Sequence, residues 1–485
     1  MISDLPGSRA VRAAILILPG VLAGCVSLPA DRGRSDVEEW LRERGRDMHA
    51  SAPQPATQDA APQPDAWADA ATHIRELLRH PLTADASVRL ALLGNPDLRA
   101  TYARLDSAAA DAYETGRLAN PRFTAALLDS NVVGEQLTLS LALRFVDLLL
   151  LPSRARIGAA GFGQAKQEVA HDVLQLAASA EQSHYRLVAA QQITAMRELA
   201  ANAASVSAEL AQRFHVAGNI TQLELAREQA AASEARLAML AARADLVEAR
   251  GRHARLLGLP PSAQWSVEAS LRLPLESDAD VDSLVALAQA SRLDLAAARG
   301  RAESLASLAG QARRTRVFSG VEIGVERERE TDDERLTGPT LAFDVPLFGS
   351  GAEKSLRAAA ELERSRAALA GLELDVVHEV GLAHARVASA KGRAEEFRSV
   401  LVPARETIVA RMQEEQNYML VGQFELLAAK QAEYGAYGGY LESVRDYWLA
   451  RVELARAVGT RLPDSPAEAG EPIALPEAHT AGGAP

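Results

Sequence analysis

Two stretches of this chain contain almost no proline, and each is interrupted at one obvious break. Pro152 and Pro260 bracket the first with no proline between them, and Pro346 and Pro463 bracket the second, broken only by Pro403. The breaks read Val216-Ala217-Gly218-Asn219-Ile220-Thr221 and Leu420-Val421-Gly422-Gln423-Phe424-Glu425. Glycine supplies the left-handed residue that ends a helix, and Thr221 caps the next one. Both Gly218 and Gly422 are therefore expected at positive φ. Each tract predicts a helical hairpin whose first helix runs about 60 residues, or roughly 90 Å at 1.5 Å per residue. Helices of that length exclude an ordinary globular core. Pro403 predicts a kink or local break in the second long helix.

Composition agrees with close helix packing. Aromatic residues are only 4% of the chain although apolar residues are 48%. Alanine is abundant, and with Leu, Glu, Arg and Gln it favours helix. The return helix of the first tract carries a heptad seam at Leu223, Ala226, Ala230, Ser233, Leu237, Leu240, Ala244, Val247, Gly251 and Ala254. Sustained steps of three and four predict coiled-coil packing along it.

The halves repeat one another at an offset of about 200 residues. Asn95-Pro96-Asp97-Leu98 matches Arg292-Leu293-Asp294-Leu295, Gly218 pairs with Gly422, and Leu256-Leu257-Gly258 matches Ala457-Val458-Gly459. Helices are expected at 86–118 and 282–315. Between helices lie period-2 segments. Leu137, Leu139, Leu141 and Leu143 alternate with Thr138, Ser140, Ala142 and Arg144, and Val321, Ile323 and Val325 alternate with Glu322, Gly324 and Glu326. Leu341, Phe343, Val345 and Leu347 alternate with Thr340, Ala342, Asp344 and Pro346, and Phe123, Ala125 and Leu127 form a weaker fourth strand. Segments of this length cross a bilayer when tilted, but they equally suit a soluble sheet. Glu322, Glu326 and Asp344 would face the lumen of a barrel. The charge-rich run from Glu322 to Glu334 otherwise reads as a solvated loop, and at the end of a barrel hairpin as an extracellular one.

No segment approaches the length of a membrane-spanning helix, so any crossing would be by strands. The 64 acidic and 52 basic side chains give a formal charge of -12, which argues against a nucleic-acid partner. Cys25 is the only cysteine, so no disulfide forms within the chain. It follows Leu22-Ala23-Gly24, an apolar run from Ala13, and Arg9 and Arg12. That order is a secretory signal, and a cysteine directly after Leu-Ala-Gly resembles a bacterial lipoprotein signal. The resemblance implies acylation of Cys25 and cleavage before it. Several acyl chains anchor durably, at about 0.8 kcal/mol per buried CH2. Val26, rather than Asp, after the cysteine points by the same resemblance to the outer membrane. The expected organisation is a signal peptide over 1–24, a lipidated segment and Pro/Ala/Gln linker over 25–80, repeats over 81–260 and 261–462, and a disordered tail over 463–485.

The ordered, duplicated set of Pro81-Leu82-Thr83, Asn95-Pro96-Asp97-Leu98, Asn120-Pro121-Arg122-Phe123 and Phe343-Asp344-Val345-Pro346-Leu347-Phe348, with the glycine turns, resembles the TolC-like outer-membrane factor family. The likeness spans roughly 82–462 and lacks a clean Pro-Leu-Phe in the first half, at Arg144 to Arg154. It implies a mainly α fold with a small β part: long antiparallel helical hairpins forming a periplasmic coiled-coil tunnel, and four strands per chain closing a 12-stranded barrel in a homotrimer. It implies an inner-membrane pump and a periplasmic adaptor as partners, with Val216, Gly218, Val421, Gly422 and Gln423 at the adaptor-contacting tips. Three copies of Glu425 would make a carboxylate ring at the gate, favouring opening when deprotonated. The plainer alternative is that Glu425 meets the helix dipole.

No catalytic constellation is present. His171 and His184 share no compact metal-ligand spacing and are expected on a solvated helix face. Gly161-Phe162-Gly163 is no nucleotide fingerprint. No cofactor is expected beyond the covalent lipid. Two classes of function stay open: an export duct for small molecules or metal ions, or a lipid-anchored periplasmic coiled-coil spacer without a pore. The outer duct of a protein-secretion system is a variant of the first. The wording Pro-Leu-Thr at 81–83 and Val-Gly-Gln-Phe-Glu-Leu-Leu at 421–427 most resembles heavy-metal efflux members. Cys25→Ala should abolish lipid labelling and leave the precursor uncut there, and a lipid-free mature chain beginning elsewhere would count against the signal.

Overall fold

The computed structural model describes residues 31–45, 72–130, 134–275, 279–314, 321–329, 334–343, 351–462 and 471–473. Cys25 and Asp344 lie outside them, as do residues 46–71 of the expected linker segment and all of the expected tail but 471–473. In chain order the elements are α1 (Arg34–Glu43), α2 (Ala84–Gly94), α3 (Pro96–Gly116), β1 (Arg122–Ser130), β2 (Gly134–Arg144), α4 (Phe145–Val216) and α5 (Gln222–Leu256). The second half gives α6 (Val281–Ser291), α7 (Leu293–Arg314), β3 (Glu322–Arg329), β4 (Arg335–Ala342), α8 (Ala352–Glu396), a π-helical turn (Phe397–Leu401), α9 (Val402–Asn417) and α10 (Gln423–Val458). Helix, helix, β-hairpin and long helical hairpin thus occur in the same order twice.

The chain divides into two compact units, and each draws on both repeats. One contains Thr101–Val169 and Leu293–Leu372, and the other Glu38–Ala100, Ala170–Arg292 and Glu373–Pro485. The first holds the sheet. In it Gly158 of α4 lies so close to α3 that a Cβ there would sit 2.9 Å from the Ala112 carbonyl oxygen. Asp106 of α3 receives Arg34 of α1 at 3.3 Å.

The second unit is built on aromatic residues that the composition makes scarce. Trp448 and Tyr447 of α10 are fully buried, and Tyr185 of α4 stacks on Trp448 at 5.3 Å. The Trp448 indole donates to the Arg272 carbonyl at 2.8 Å, and Leu275 N donates to the Tyr447 hydroxyl at 3.2 Å. The segment after α5 is thereby fixed to α10 by its backbone, so its polar groups are paired although it carries little regular structure.

The predicted helices over 86–118 and 282–315 are each two helices, broken at Asn95 and Arg292. Both residues are extended, at φ -71 ψ 122 and φ -67 ψ 122. Each break grips the end of its repeat's return helix. Asn95 Nδ2 donates to the Leu256 carbonyl at 3.0 Å, and Arg292 Nη1 donates to the Ala457 carbonyl at 3.2 Å. The last carbonyls of a helix have no partner within it, and these side chains supply one. Gly258 and Gly459 follow those helix ends in the left-handed region, at φ +71 and +79.

The long helices differ from expectation at their prolines. α4 begins at Phe145, directly after β2, and Pro152 lies inside it. The lost hydrogen bond falls in a stretch where Leu148 and Leu149 are exposed. Pro403 does mark a break: it is the second residue of α9, just after the π-helical turn. The Phe397 ring at the start of that turn lies against Gly439 of α10, where a Cβ would be 2.6 Å from it.

The seam expected on α5 faces outward. Leu237, Leu240 and Val247 are exposed, Val247 by 73%. The face that packs on α4 lies on the other side, through Leu225, Ala242 and His253, and the Thr194 hydroxyl donates to the Ala242 carbonyl at 3.1 Å. The outward residues and the packed ones share the heptad period, so period alone does not select the face that packs.

Gly258 tests the joint between the two short helices and α5. An added Cβ would sit 2.1 Å from the Gly94 carbonyl oxygen, in a backbone conformation L-residues avoid. Gly258→Ala should destabilise the chain by about 2–4 kcal/mol in denaturant unfolding, from overpacking and left-handed strain together. Stability equal to the parent would show that the joint gives way freely.

Candidate functional site

The sheet runs β1-β2-β3-β4, antiparallel throughout. Its register sets two apolar rows on one face near the helices. Phe123, Leu141 and Val325 stand in one row across β1, β2 and β3, and Leu143, Ile323 and Leu341 in the next across β2, β3 and β4. The opposite face carries Thr124, Thr138, Ser140, Glu322, Glu326 and Glu328. The Gln136 amide donates to Glu328, and Arg122 lies 3.9 Å from Glu322. In β3 the glutamates are half-buried, and Ile323 and Val325 are exposed. Phe123 is 66% exposed and Leu341 65%.

That is the reverse of a soluble sheet, which hides its apolar face. It is the pattern of strands whose outer face meets lipid and whose inner face meets water. Glu322 and Glu326 occupy the polar face as expected. The run from Glu322 to Arg329 is a strand rather than a loop, because its charges alternate and so fall on separate faces. β1 and β4 each pair on one side only among the described residues. An open sheet of this kind cannot span a bilayer alone, since its edge groups would go unpaired. No helix among the described residues is long and apolar enough to cross a membrane.

The two hairpin turns are built alike, but not with the expected partners. At the first, Asn219 N donates to the Phe214 carbonyl at 2.8 Å, and Gly218 takes φ +77 as expected. At the second, Leu420 N donates to the Glu415 carbonyl at 3.0 Å, and the left-handed residue is Met419, at φ 60. Gly422 is instead extended, φ -73 ψ 151, and is the N-cap of α10. So Met419 stands where Gly218 does, and Gly422 where Thr221 does. In both turns the left-handed residue is the second past the helix end, and α9 ends at Asn417, earlier than the glycine implies.

This shift separates two carboxylates. Glu224 and Glu425 are both third in their helices. Glu224 completes a capping box with Thr221, and those hydrogen bonds lower its pKa. Gly422 has no side chain to offer, and Glu425 is exposed and makes no hydrogen bond or ion pair among the described residues. The tips are apolar: Val216 is 78% exposed and Met419 93%. Val421 is half-buried, and Gly422 and Gln423 are exposed. Phe214 and Phe424 meet edge to face at 5.8 Å and tie the two turns together.

A buried polar cluster had no signal in the sequence, because its members come from distant segments. His184 is buried, which corrects its expected place on a solvated face; His171 is only half-buried. His184 Nδ1 lies 3.1 Å from the Ser87 hydroxyl, and its ring lies 5.9 Å from that of His253. Ser183 gives its one hydroxyl proton to the Ala180 carbonyl at 2.8 Å, so His253 Nδ1–H donates to Ser183, at 2.7 Å. Asp85, Glu181, His184, Tyr185, Glu268 and Trp448 line a cavity of about 190 Å³ beside the pair. No three metal-ligating side chains converge among the described residues.

The fold is that of solved outer-membrane channels. The CmeC outer membrane channel of Campylobacter jejuni shares it at 13% identity, with 85% of this chain and 93% of that one covered and a TM-score of 0.66. For the outer-membrane channel OprN the identity is 19%, the coverage 85% and 95%, and the TM-score 0.63. CusC, a protein whose folding and transmembrane channel formation are accompanied by conformational changes, matches at 15% identity over 80% of this chain and 92% of that one, with a TM-score of 0.62. No family model matches the chain, and no curated protein does.

Burial lowers the His184 pKa to about 3, with His253 contributing, and lowers that of His253 to about 4. An unfolded histidine takes its proton near pH 6.5. Between pH 6.5 and 4 the unfolded chain therefore binds protons that the folded chain refuses, and stability falls as the pH falls. Denaturation midpoints should drop across that window. His253→Gln should flatten the drop, and an unchanged slope would show that other groups control it.

Proposed function

We propose that this chain is the outer-membrane channel component of a tripartite efflux system. It would conduct small molecules or metal ions out of the periplasm as a passive gated duct rather than as an enzyme. The observation that carries this is the sheet whose third strand exposes Ile323 and Val325 and half-buries its glutamates. Such a sheet is stable where lipid lies outside and water inside. The fold shared with CmeC and OprN, both described as outer-membrane channels, supports the same conclusion.

Three copies would close the barrel. Four strands leave two edges, and twelve in a ring leave none. The exposed heptad on α5, with Leu223, Leu237, Leu240 and Val247, is the surface a second copy would cover. The long hairpins would extend into the periplasm as a tunnel. Their apolar tips, Val216, Gly218, Val421, Gly422 and Gln423 with Met419, would meet a periplasmic adaptor linked to an inner-membrane pump. Glu425, without a capping partner, is the gate candidate, one carboxylate from each copy. Acyl chains on Cys25 would fix the assembly to the outer membrane. Glu322, Glu326 and Asp344 would line the barrel. A lean toward heavy-metal cargo rests on the wording at Pro81-Leu82-Thr83 and around Gly422.

The purified full chain should run as a trimer in detergent and give stepwise conductance in planar bilayers. Leu240→Lys should weaken the trimer while leaving the helical content of the chain intact. A folded monomer without conductance would favour the alternative, a lipid-anchored spacer with no pore.

A further inference from the structure

The three glutamates on the polar face of β3 are not equivalent. Glu322 lies 3.9 Å from Arg122, and Glu328 accepts the Gln136 amide. Glu326, between them, makes no hydrogen bond or ion pair among the described residues. Its row across the sheet is Thr124, Ser140, Glu326 and Gly338, so the residues directly beside it are a serine and a glycine. Its neighbour on the same face, toward the helices, is Gly324. A Cβ at Gly324 would sit 2.7 Å from the Leu141 carbonyl oxygen and 2.7 Å from the Thr340 hydroxyl, so that place stays bare. A Cβ at Gly338 would meet nothing within 4 Å. One carboxylate thus stands in a clearing made by glycine and serine.

The cations of this face lie nearer to other carboxylates. Among the described residues they are Arg122 and Arg144, in the two rows closest to the helices. Arg122 leans to Glu322, one row further toward the helices, and Arg144 pairs with Asp147 at 3.3 Å. Arg327, Arg329 and Arg335 stand on the opposite face. Away from the helices, the next charge on the polar face is Glu328, of the same sign as Glu326. The middle of the polar face is therefore negative.

Closing the sheet into a ring sets the reach of that charge. Twelve strands about 4.8 Å apart and tilted about 40° put the backbone roughly 12 Å from the axis. About 5 Å of extended glutamate leaves its carboxylate roughly 7 Å from the axis. That is within one Debye length at about 0.1 M salt and more than two at about 1 M. Three unit charges at this range enrich a monovalent cation on the axis about fourfold in the dilute case and hardly at all in the concentrated one.

We propose that Glu326 sets the charge preference of the duct inside the barrel, where one carboxylate from each of three copies favours cations over anions. This rests on the trimeric channel reading given above. The clearing around each carboxylate leaves room for the water of a hydrated ion, so the ring selects by field and not by stripping hydration.

The test uses the purified full chain in planar bilayers, with its trimer checked by crosslinking. The reading is the reversal potential across a potassium chloride gradient, taken at about 0.1 M and again at about 1 M. The parent should prefer potassium over chloride in dilute salt and lose most of that preference in concentrated salt. Glu326→Gln should cut the dilute-salt preference about fourfold. Glu326→Lys should turn it toward chloride, and Glu326→Gln alone decides if the lysine variant does not assemble. Arg327→Gln, on the opposite face, should match the parent. A Glu326→Gln channel with the parent's preference overturns the proposal while the channel stands. So does a preference abolished by Glu425→Gln with Glu326 intact, which would put the selection at the tips. A parent chain without conductance fails at the channel itself and takes this proposal with it.

Discussion

Two helix ends hold the second unit of this chain together. The C-termini of α5 and α10 have carbonyls with no partner in their own helices. In both repeats the chain satisfies them with the residue at which a short helix pair breaks, Asn95 in one and Arg292 in the other. Gly258 and Gly459 turn the chain away at those points in a conformation that L-residues avoid. The hydrogen bond therefore needs the glycine, and the glycine needs the close approach of the break. Arg292 adds an ion pair to Glu379 at 2.6 Å, which carries the joint onto α8. Asn95 instead folds its side-chain oxygen back onto the Asp97 amide at 2.7 Å and starts α3. One architectural position is filled by two chemistries.

Much of the fold is legible in the sequence because its signals are periodic and local. Missing proline marks the long helices, alternation marks the strands, and the glycines at 218, 258 and 459 mark real left-handed turns. What is not legible depends on partners distant in the chain. The tip at Gly422 shows this: a glycine within an apparent repeat is taken for the turn, yet the helix before it ends at Asn417 and Met419 bears the strain. The seam on α5 shows it differently. Its period is real, but period alone does not say which of two faces packs within the chain. The buried pair His184 and His253 is set 69 residues apart in sequence, and no spacing rule links them.

The sheet and the tips solve opposite problems with one device, the exposure of apolar surface. In the sheet, regular alternation places every glutamate of β3 on one face. At the tips, exposure is concentrated in a few residues, with Phe214 against Phe424 holding the two turns in register. The carboxylates divide along the same lines. Those of β3 are half-buried, Glu224 is tied to its own helix start, and Glu425 is left available by the absence of a side chain at Gly422.

The π-helical turn at Phe397–Leu401 has a consequence for symmetry. An α-helix turns about 100° per residue. One wider turn therefore rotates everything beyond it relative to an uninterrupted helix. α4 runs through the corresponding stretch without such a turn, as one helix from Phe145 to Val216. The two hairpins thus share a turn geometry at their tips but reach it with different angular phase. A chain duplicated in sequence in this way is not duplicated in the faces it presents. Any ring of such chains has the symmetry of its copy number, and not twice that number.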